Sequence, residues 1–496
     1  MGIGAPCAIF IAVASAQPVT FRQALQSAVK NNPAVELARA QVDSAQGVLD
    51  ERSGVFAPAL SYAGSAARNQ TVVGDNPYVT HQFQYSAGVG FGGLASPGTT
   101  YQVSLNASRF SNDDSFTSLS PAYTTGLSLT LAQPLLKGRG PVVVNAPIGS
   151  ARYELASRDA QVRAVMLAVA ADTAERYWGW RLQQDQVAVF RTALDLAKEQ
   201  LRVTQARAKA GAISALEVTQ AEATVAQRDD DLRQQQLAVI GAERTLLQSA
   251  YLQQEANFAW KTSLEAADAP VESTGELDLD ALTAQALEGR PEIRQLRESA
   301  QASELDAVAT ANGTLARLDA TLKAGLTGLA GRSTGLVEGS GVVLPAGVQG
   351  DFVQSLGNLP LGPFIQVGLE GELPLGHPVE KGRLAQKLAE KRRRRALLAQ
   401  FESDVKLEIR SLVLRLQSDH NRVLSAREAE RLAAANLDAE KKKFAAGVAT
   451  TFDVLRVQGD LVAAKRSVLI AVSGTNVSLA QLGRATGTLL QEATGP

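Results

Sequence analysis

Two stretches decide how this 496-residue chain is read: Phe21-Arg-Gln-Ala-Leu-Gln-Ser-Ala-Val-Lys-Asn-Asn-Pro33-Ala-Val35 and Leu279-Asp-Ala-Leu-Thr-Ala-Gln-Ala-Leu-Glu-Gly-Arg-Pro291-Glu-Ile293. Each is a short amphipathic helical pattern stopped by a proline. The residue before a proline is biased away from the helical region, and proline itself suits the first turn of a new helix. Each stretch therefore predicts a break followed by a second helix, from about Pro33 to Ser53 and from about Pro291 to Ala311. Two such joints in one chain announce an internal duplication, which sets the frame for every other element.

A second matched pair lies deeper in each half. Lys209-Ala-Gly211-Ala-Ile-Ser-Ala-Leu216-Glu217-Val218 corresponds to Ala445-Ala-Gly447-Val-Ala-Thr-Thr-Phe452-Asp453-Val454. In both, a glycine follows a long helical pattern and another helix begins within about five residues. Glycine ends a helix at little cost because it accepts the left-handed conformation. The acidic residue then falls in the first turn of the following helix, where the macrodipole favours it. These are the tips of antiparallel helical hairpins. Their arms run from about Ala146 to Phe258 and from about Val379 to Arg484, and an arm of about 60 residues is roughly 90 Å long. Apolar and small residues step by three and four along them: Val187, Phe190, Leu194, Ala197, Leu201, Thr204, Ala208; Val457, Leu461, Ala464, Val468, Ala471, Thr475, Ser478, Leu482; and Val405, Ile409, Leu412, Leu416. A 3.5-residue repeat of this kind predicts coiled-coil packing.

Between the helical blocks the chain turns to Ser, Thr, Gly and Tyr with period-two alternation. Leu60-Ser-Tyr62, Phe83-Gln-Tyr85, Tyr101-Gln-Val103-Ser-Leu105 and Leu127-Ser-Leu129-Thr-Leu131 stand in the first half. Leu318-Asp-Ala320-Thr-Leu322 and Phe364-Ile-Gln-Val367-Gly-Leu369 stand in the second. Such segments, about 9–11 residues long, fit strands that cross a membrane at a tilt. Each strand block leaves into helix through a proline joint, at Pro134 in Gln133-Pro134-Leu135-Leu136 and at Pro374 in Leu373-Pro374-Leu375.

Composition excludes several classes. With 49 basic and 50 acidic residues the net charge is −1, which offers no electrostatic footprint for nucleic acid. Only 5% of residues are aromatic, sparse for a large enzyme core. The single cysteine, Cys7, precludes a disulfide framework, and three scattered histidines, read as exposed, give no metal-ligand spacing. No phosphate-binding glycine loop or nucleophile motif occurs, so no catalytic residue, metal site or cofactor is expected and the chain is read as not an enzyme. Residues 1–16 carry an apolar run, Ala8–Val13, and an Ala14-Ser15-Ala16 cleavage pattern, and are read as a signal peptide. No later stretch reaches 18 apolar residues, so no membrane-spanning helix is expected.

The ordered motifs resemble the TolC-like outer-membrane efflux proteins: a proline-stopped helix, a second helix, strands, a Gln-Pro-Leu-Leu or Leu-Pro-Leu joint, and a hairpin with glycine at its tip, all occurring twice. The resemblance covers about Val19 to Thr488. It implies an α+β membrane protein in which long antiparallel helical hairpins form an α-barrel and three protomers give β-strands to one shared outer-membrane β-barrel. The first structural repeat is placed at 17–270, with strands at about 58–133 and a helical hairpin at about 146–258. The second is placed at 271–496, with strands at about 317–373 and a hairpin at about 379–484. The implied function is the outer-membrane channel of a tripartite efflux pump or type I secretion system. It acts as a homotrimer with its helices in the periplasm, meeting a periplasmic adaptor (membrane fusion) protein and an inner-membrane transporter. A periplasmic coiled-coil scaffold or adaptor without a pore is the alternative. The paired amphipathic strand blocks distinguish the two, since a scaffold has no use for them.

What the resemblance implies for sites lies at the tips. Gly211, Leu216, Glu217, Phe444, Gly447, Asp453 and Arg456 are expected at the periplasmic pore entrance, and Pro134 and Pro374 at strand-to-helix joints. Asp453 and Arg456 share a helix face. Three copies of Asp453 make a ring that favours cations, and three copies of Arg456 beside it offset that field. Glu217 matches the family's acidic latch position, but its arginine partner position falls at Ala449. The plain alternative for Glu217 and Asp453 is a charge that merely begins a helix. The basic run Lys391-Arg-Arg-Arg-Arg395 is read as solvated faces with salt bridges, and Tyr177-Trp178-Gly179-Trp180 as packing between helices. The first half holds four strand-like segments where the family needs two. The pair around Phe83–Phe91 and Thr100–Phe110 is either an external hairpin or two more barrel strands; the family barrel has twelve over the trimer.

Overall fold

A computed structural model describes residues 17–73, 78–113, 117–211, 213–255, 263–273, 275, 277–334, 347–373 and 375–494. The expected signal segment 1–16, with Cys7, and the joint residue Pro374 lie outside the described residues. In chain order the elements are β1 (Gln17–Val19), α1 (Phe21–Asn31), α2 (Pro33–Ser53), β2 (Ala59–Val73), β3 (Tyr78–Leu94), β4 (Thr100–Asn112), β5 (Leu119–Pro134), α3 (Pro141–Lys209), α4 (Ala215–Ala250), β6 (Leu264–Ala266), α5 (Leu279–Gly289), α6 (Pro291–Asn312), β7 (Arg317–Ser333), α7 (Phe352–Gly357), β8 (Pro363–Glu372), α8 (Pro378–Ala445), α9 (Thr451–Thr486) and α10 (Leu489–Thr494). Two compact units result. One comprises Met1–Val42, Ser157–Arg297 and Leu397–Pro496, the other Asp43–Ala156 and Glu298–Ala396. Every boundary falls inside a helix (α2, α3, α6 or α8), and each unit draws on both halves of the sequence. No helix among the described residues is long and apolar enough to cross a membrane.

The first unit is helical. Thr20 opens α1 with a capping box: its hydroxyl accepts from the Gln23 N–H at 3.2 Å, and the Gln23 side chain accepts from the Thr20 N–H at 3.0 Å. Asp278 caps α5 through the N–H groups of Asp280 and Ala281. Both helices end where the proline rule places them, with Asn32 and Arg290 extended at ψ 124° and 120°. Small strands β1 and β6 pair in parallel beside the core. Tyr177, Trp178 and Trp180 are buried there with Val19, Leu246 and Leu252. The Phe21 ring lies 5.5 Å from both Tyr177 and Trp178, so the aromatic run is packing, as read. The Tyr177 hydroxyl donates to Asp268 at 2.7 Å, and Asp268 also accepts from the Phe21 N–H. Burial, reinforced by the Asp268 carboxylate, pushes the Tyr177 phenol up. The stepped residues form the helix seams: Phe190, Leu194, Ala197 and Thr204 are buried on α3, Val405, Ile409, Leu412 and Leu416 on α8, and Val457, Leu461, Val468 and Ala471 on α9.

The second unit holds one antiparallel sheet in the order β2-β3-β4-β5-β7-β8. β3 and β4, whose placement the sequence left open, are hydrogen-bonded through the middle of it, from Leu94↔Thr100 to Gln82↔Asn112. They are sheet strands and not an external hairpin. Gly98 closes their turn at φ 92°, where a Cβ would stand 2.5 Å from the Gly138 carbonyl. β8 has ten residues, as expected, whereas the other five strands of the sheet span 13 to 17, beyond the 9–11 expected. The ladder runs on into polar residues such as Asn69 and Gln70, which alternation of apolar residues does not mark. Register gives the sheet two unlike faces. The row Leu60–Phe91–Val103–Leu129–Ala324–Ile365 is wholly apolar. The neighbouring row on the other face, Ser61–Gly90–Ser104–Ser128–Gly325–Phe364, consists of three serines and two glycines and ends on Phe364. The apolar face is open on the edge strands: Tyr62 is 87% exposed and Val367 76%.

Beyond β8, the segment 347–362 lies along the edge of β7. The Gly331 N–H donates to Val348 O, the Gly350 N–H to Gly331 O and the Thr327 N–H to Gly362 O. α7 sits against the apolar face of β5 and β7, its Ser355 hydroxyl 2.7 Å from that of Thr125. Gly328 permits this approach, because a Cβ there would fall 1.8 Å from Ser355 O.

Several readings shift. α3 starts at Pro141, not Ala146; Pro141 takes the favoured first-turn place and Pro147 is carried inside the helix. α4 ends at Ala250, where Tyr251 turns left-handed. The histidines are not simply exposed, for His81 sits 3.1 Å from Asp113 and all three are half-buried. The basic run does bridge to neighbours. Lys391 and Arg395 meet Glu304 at 2.8 and 3.0 Å, and Arg393 and Arg394 meet Glu390 at 2.8 and 2.6 Å.

Candidate functional site

Both hairpin tips belong to the first unit. α3 ends at Gly211, φ 73°, whose N–H donates to Ala208 O at 2.9 Å. α8 ends at Gly447, φ 75°, with the paired bonds Gly447 N–H to Phe444 O and Val448 N–H to Lys443 O. That pair is a Schellman closure, and it needs the left-handed residue that glycine supplies. Three residues on, Thr450 starts α9 with a second capping box. The Asp453 carboxylate accepts from the Thr450 N–H at 3.0 Å, and the Thr450 hydroxyl accepts from the Asp453 N–H at 3.3 Å.

The two tips are tied to each other. Arg207, near the end of α3, donates to the last carbonyls of α8, Phe444 O at 2.7 Å and Ala445 O at 3.2 Å. Its guanidinium also lies 4.1 Å from the centre of the Phe444 ring. A cation on the carbonyl end of a helix is favoured by both hydrogen bonding and the dipole. On the other arm, the Thr451 hydroxyl donates to Glu217 at 2.9 Å. Thr451 is fully buried, so Glu217 satisfies a hydroxyl that would otherwise be stranded.

The residues expected at the tips therefore sort as follows. Phe444 and Gly447 form the closure that Arg207 covers. Glu217 links the hairpins through Thr451, and Ala449, the position opposite it in the family pattern, packs at the edge of the tip core with Leu437, Phe444 and Val454. Asp453 is engaged in its capping box. Hydrogen bonds from Thr450 hold its carboxyl below the ordinary range, with smaller contributions from the charges of Arg456 and Lys443. Arg456 is exposed one turn further along α9. Leu216, Val448 and Phe452 leave apolar surface open, at 66%, 79% and 61% exposure. Pro134 lies in the other unit, at the end of β5 opposite Asp319. The following Leu135 N–H donates to Leu318 O, and the Gly138 N–H to the Asn312 side chain. Sequence reasoning missed Arg207 and Thr451. Thr451 stands inside the quoted tip stretch but carries no charge or turn signal there, and Arg207 reads as one more charge on a long helix.

Residues 96–250 match the family described as outer membrane efflux protein. No curated protein matches the chain. Among solved structures, the outer-membrane channel OprN matches with a TM-score of 0.67 at 16% identity, over 94% of this chain and 89% of that one. The Campylobacter jejuni CmeC outer membrane channel matches at 0.65 and 14%, over 94% and 85%. The outer membrane protein VceC from Vibrio cholerae matches at 0.63 and 17%, over 94% and 96%. The chain thus has the fold of these channels, and its sequence resemblance to the TolC-like efflux family holds.

Proposed function

We propose that this chain is the outer-membrane channel of a tripartite efflux pump or type I secretion system, a passive duct through which small molecules or polypeptides leave the cell. The observation that carries this reading is the six-stranded sheet, one face of which presents apolar rows that are exposed on its edge strands. In water such a face is a liability, whereas in a bilayer it is the lipid-facing wall of a barrel. The matching fold of solved outer-membrane channels supports the same reading. Segment 1–16 directs export, and the repeats 17–270 and 271–496 each contribute strands and a helical hairpin. Three copies assemble in the outer membrane with the hairpins in the periplasm. Their tips, carrying Gly211, Leu216, Glu217, Phe444, Gly447, Asp453 and Arg456, form the entrance and meet a periplasmic adaptor coupled to an inner-membrane transporter. Asp453 and Arg456 set opposing charges at that mouth. The duct performs no chemistry.

Deleting the gene and screening toxic compounds and secreted polypeptides tests this directly. Sensitivity to at least one compound, or loss of one secreted product, is expected, restored by the intact gene. A mature chain recovered entirely in the soluble fraction, with no detergent-extracted trimer, refutes it.

A further inference from the structure

The sheet has two free edges. Among the described residues, β2 pairs only with β3, and β8 only with β7. In hydrocarbon an unpaired strand edge is not tolerated, because no water reaches its N–H and C=O groups. The two edges are not left open at random. Past the start of β8, the edge of β7 is covered by the segment 347–362. What remains uncovered is β8 itself, Pro363–Glu372, ten residues long, which is the length of one membrane crossing. The most exposed apolar side chains of the sheet stand at these two edges: Leu60 and Tyr62 on β2, and Ile365, Val367 and Leu369 on β8, each 69% exposed or more. Their counterparts on the inner strands, such as Val103 and Leu129, are about half as exposed, at 40% and 38%, because a neighbour strand flanks them on both sides.

Direction also matches. Successive pairings from β2 to β8 are all antiparallel, so the first and last of the six strands run oppositely. An edge β8 therefore meets an edge β2 of a second copy in antiparallel sense, with apolar rows continuing on the same side.

We propose that β8 of each protomer pairs with β2 of the next, so that the three-copy assembly closes as an eighteen-stranded barrel in place of the twelve-stranded barrel of the resembling family. This rests on the channel reading above. With strands about 4.8 Å apart and tilted roughly 40°, eighteen strands give a backbone radius of roughly 18 Å, against roughly 12 Å for twelve. The β3–β4 pair is thus a device that widens the outer-membrane exit by about half. It does so without touching the hairpin tips, so the exit is set for bulkier cargo, or for cargo leaving in a larger hydrated cross-section, than a twelve-stranded exit passes.

Cysteine cross-linking in isolated outer membranes tests the junction, since the sequence past the expected signal segment 1–16 has no native thiol. Tyr62→Cys is combined in turn with Ile365→Cys, Val367→Cys and Leu369→Cys, three same-face registers. Oxidation is expected to convert most of the chain into a reductant-sensitive covalent trimer in at least one combination, with each single variant at least tenfold lower. A twelve-stranded ring with β2 and β3 outside would instead cross-link Val103→Cys with Val367→Cys, and that outcome overturns the proposal while leaving the trimeric channel standing. Absence of any trimer by light scattering of the detergent extract would overturn the channel reading itself. Strand counting in an electron cryomicroscopy map of the unmodified trimer decides independently of the variants: eighteen supports the junction and twelve ends it.

Discussion

Single side chains hold the tips together, and their contributions are separable. Gly447 sits at φ 75° and closes α8. Alanine there accepts the left-handed conformation at a cost of about 1 kcal/mol. Gly447→Ala should therefore lower the unfolding free energy by about that amount in denaturant titration, with the trimer still formed. Gly447→Pro removes both the conformation and the N–H donor, and should abolish export from a protein that still assembles. Normal export by that variant would take Gly447 out of the entrance. Arg207 makes two hydrogen bonds and a ring contact. Arg207→Ala should speed proteolytic cleavage between Ala445 and Thr450 severalfold while leaving cleavage near Gly211 little changed, and equal protection would show the contact to be incidental. Asp453 was legible as a candidate from its spacing. Its engagement with Thr450 was not, because a capping box and a pore-lining charge ask for the same residue at the same place.

At the level of elements, cap and ladder chemistry decides what the sequence discloses. The breaks ahead of Pro33 and Pro291 were legible in the sequence, since proline acts on its immediate neighbour. The seams on α3, α8 and α9 were legible because a 3.5-residue repeat persists over many turns. The true length of the strands was not, since β2 and β4 extend through Asn, Gln and Ser residues whose pairing depends on the neighbouring strand. Thr450 belongs to this scale: removing its hydroxyl by Thr450→Ala should cost about 1 kcal/mol and fray the start of α9, read as faster amide exchange at Asp453 and Val454. The ion pairs within α8 and those between α6 and α8 carry a pH dependence. Hydrogen bonds from Arg393 and Arg394 bring the Glu390 carboxyl down to about 2, and those from Lys391 and Arg395 lower Glu304. Their folded values lie below the unfolded ones, so their stabilisation is complete above the ordinary carboxylate range near pH 4.3 and is lost as pH falls towards 2. The thermal midpoint should be flat between pH 7 and about 5 and decline below about 4. Because these groups are solvated, 0.5 M salt should flatten the decline.

For the whole molecule, the two sequence repeats and the two compact units do not coincide. Each unit takes segments from both repeats, and each boundary is crossed by a continuous helix. The duplication is read from joints that recur as local patterns. The interleaving is not, because it depends on pairings such as β5 with β7 that no local pattern encodes. A consequence can be measured. Residues 17–270 expressed alone contain neither β7 nor α9, and should give no protease-resistant product. Coexpression with residues 271–496 should restore it if the halves find each other. A stable, folded 17–270 fragment would mean that the repeats are independent domains after all.

The pairing of Leu127 with Leu326 joins positions 199 apart. During synthesis from the N-terminus, β2 to β5 therefore emerge long before their neighbour exists. For that interval a half-sheet rich in alternating aromatic and aliphatic residues waits with a bare flank, the condition under which nascent strands stick to one another. The order of the chain thus imposes a need for holding factors on the route to the membrane, and the extra hairpin lengthens the segment they must shield.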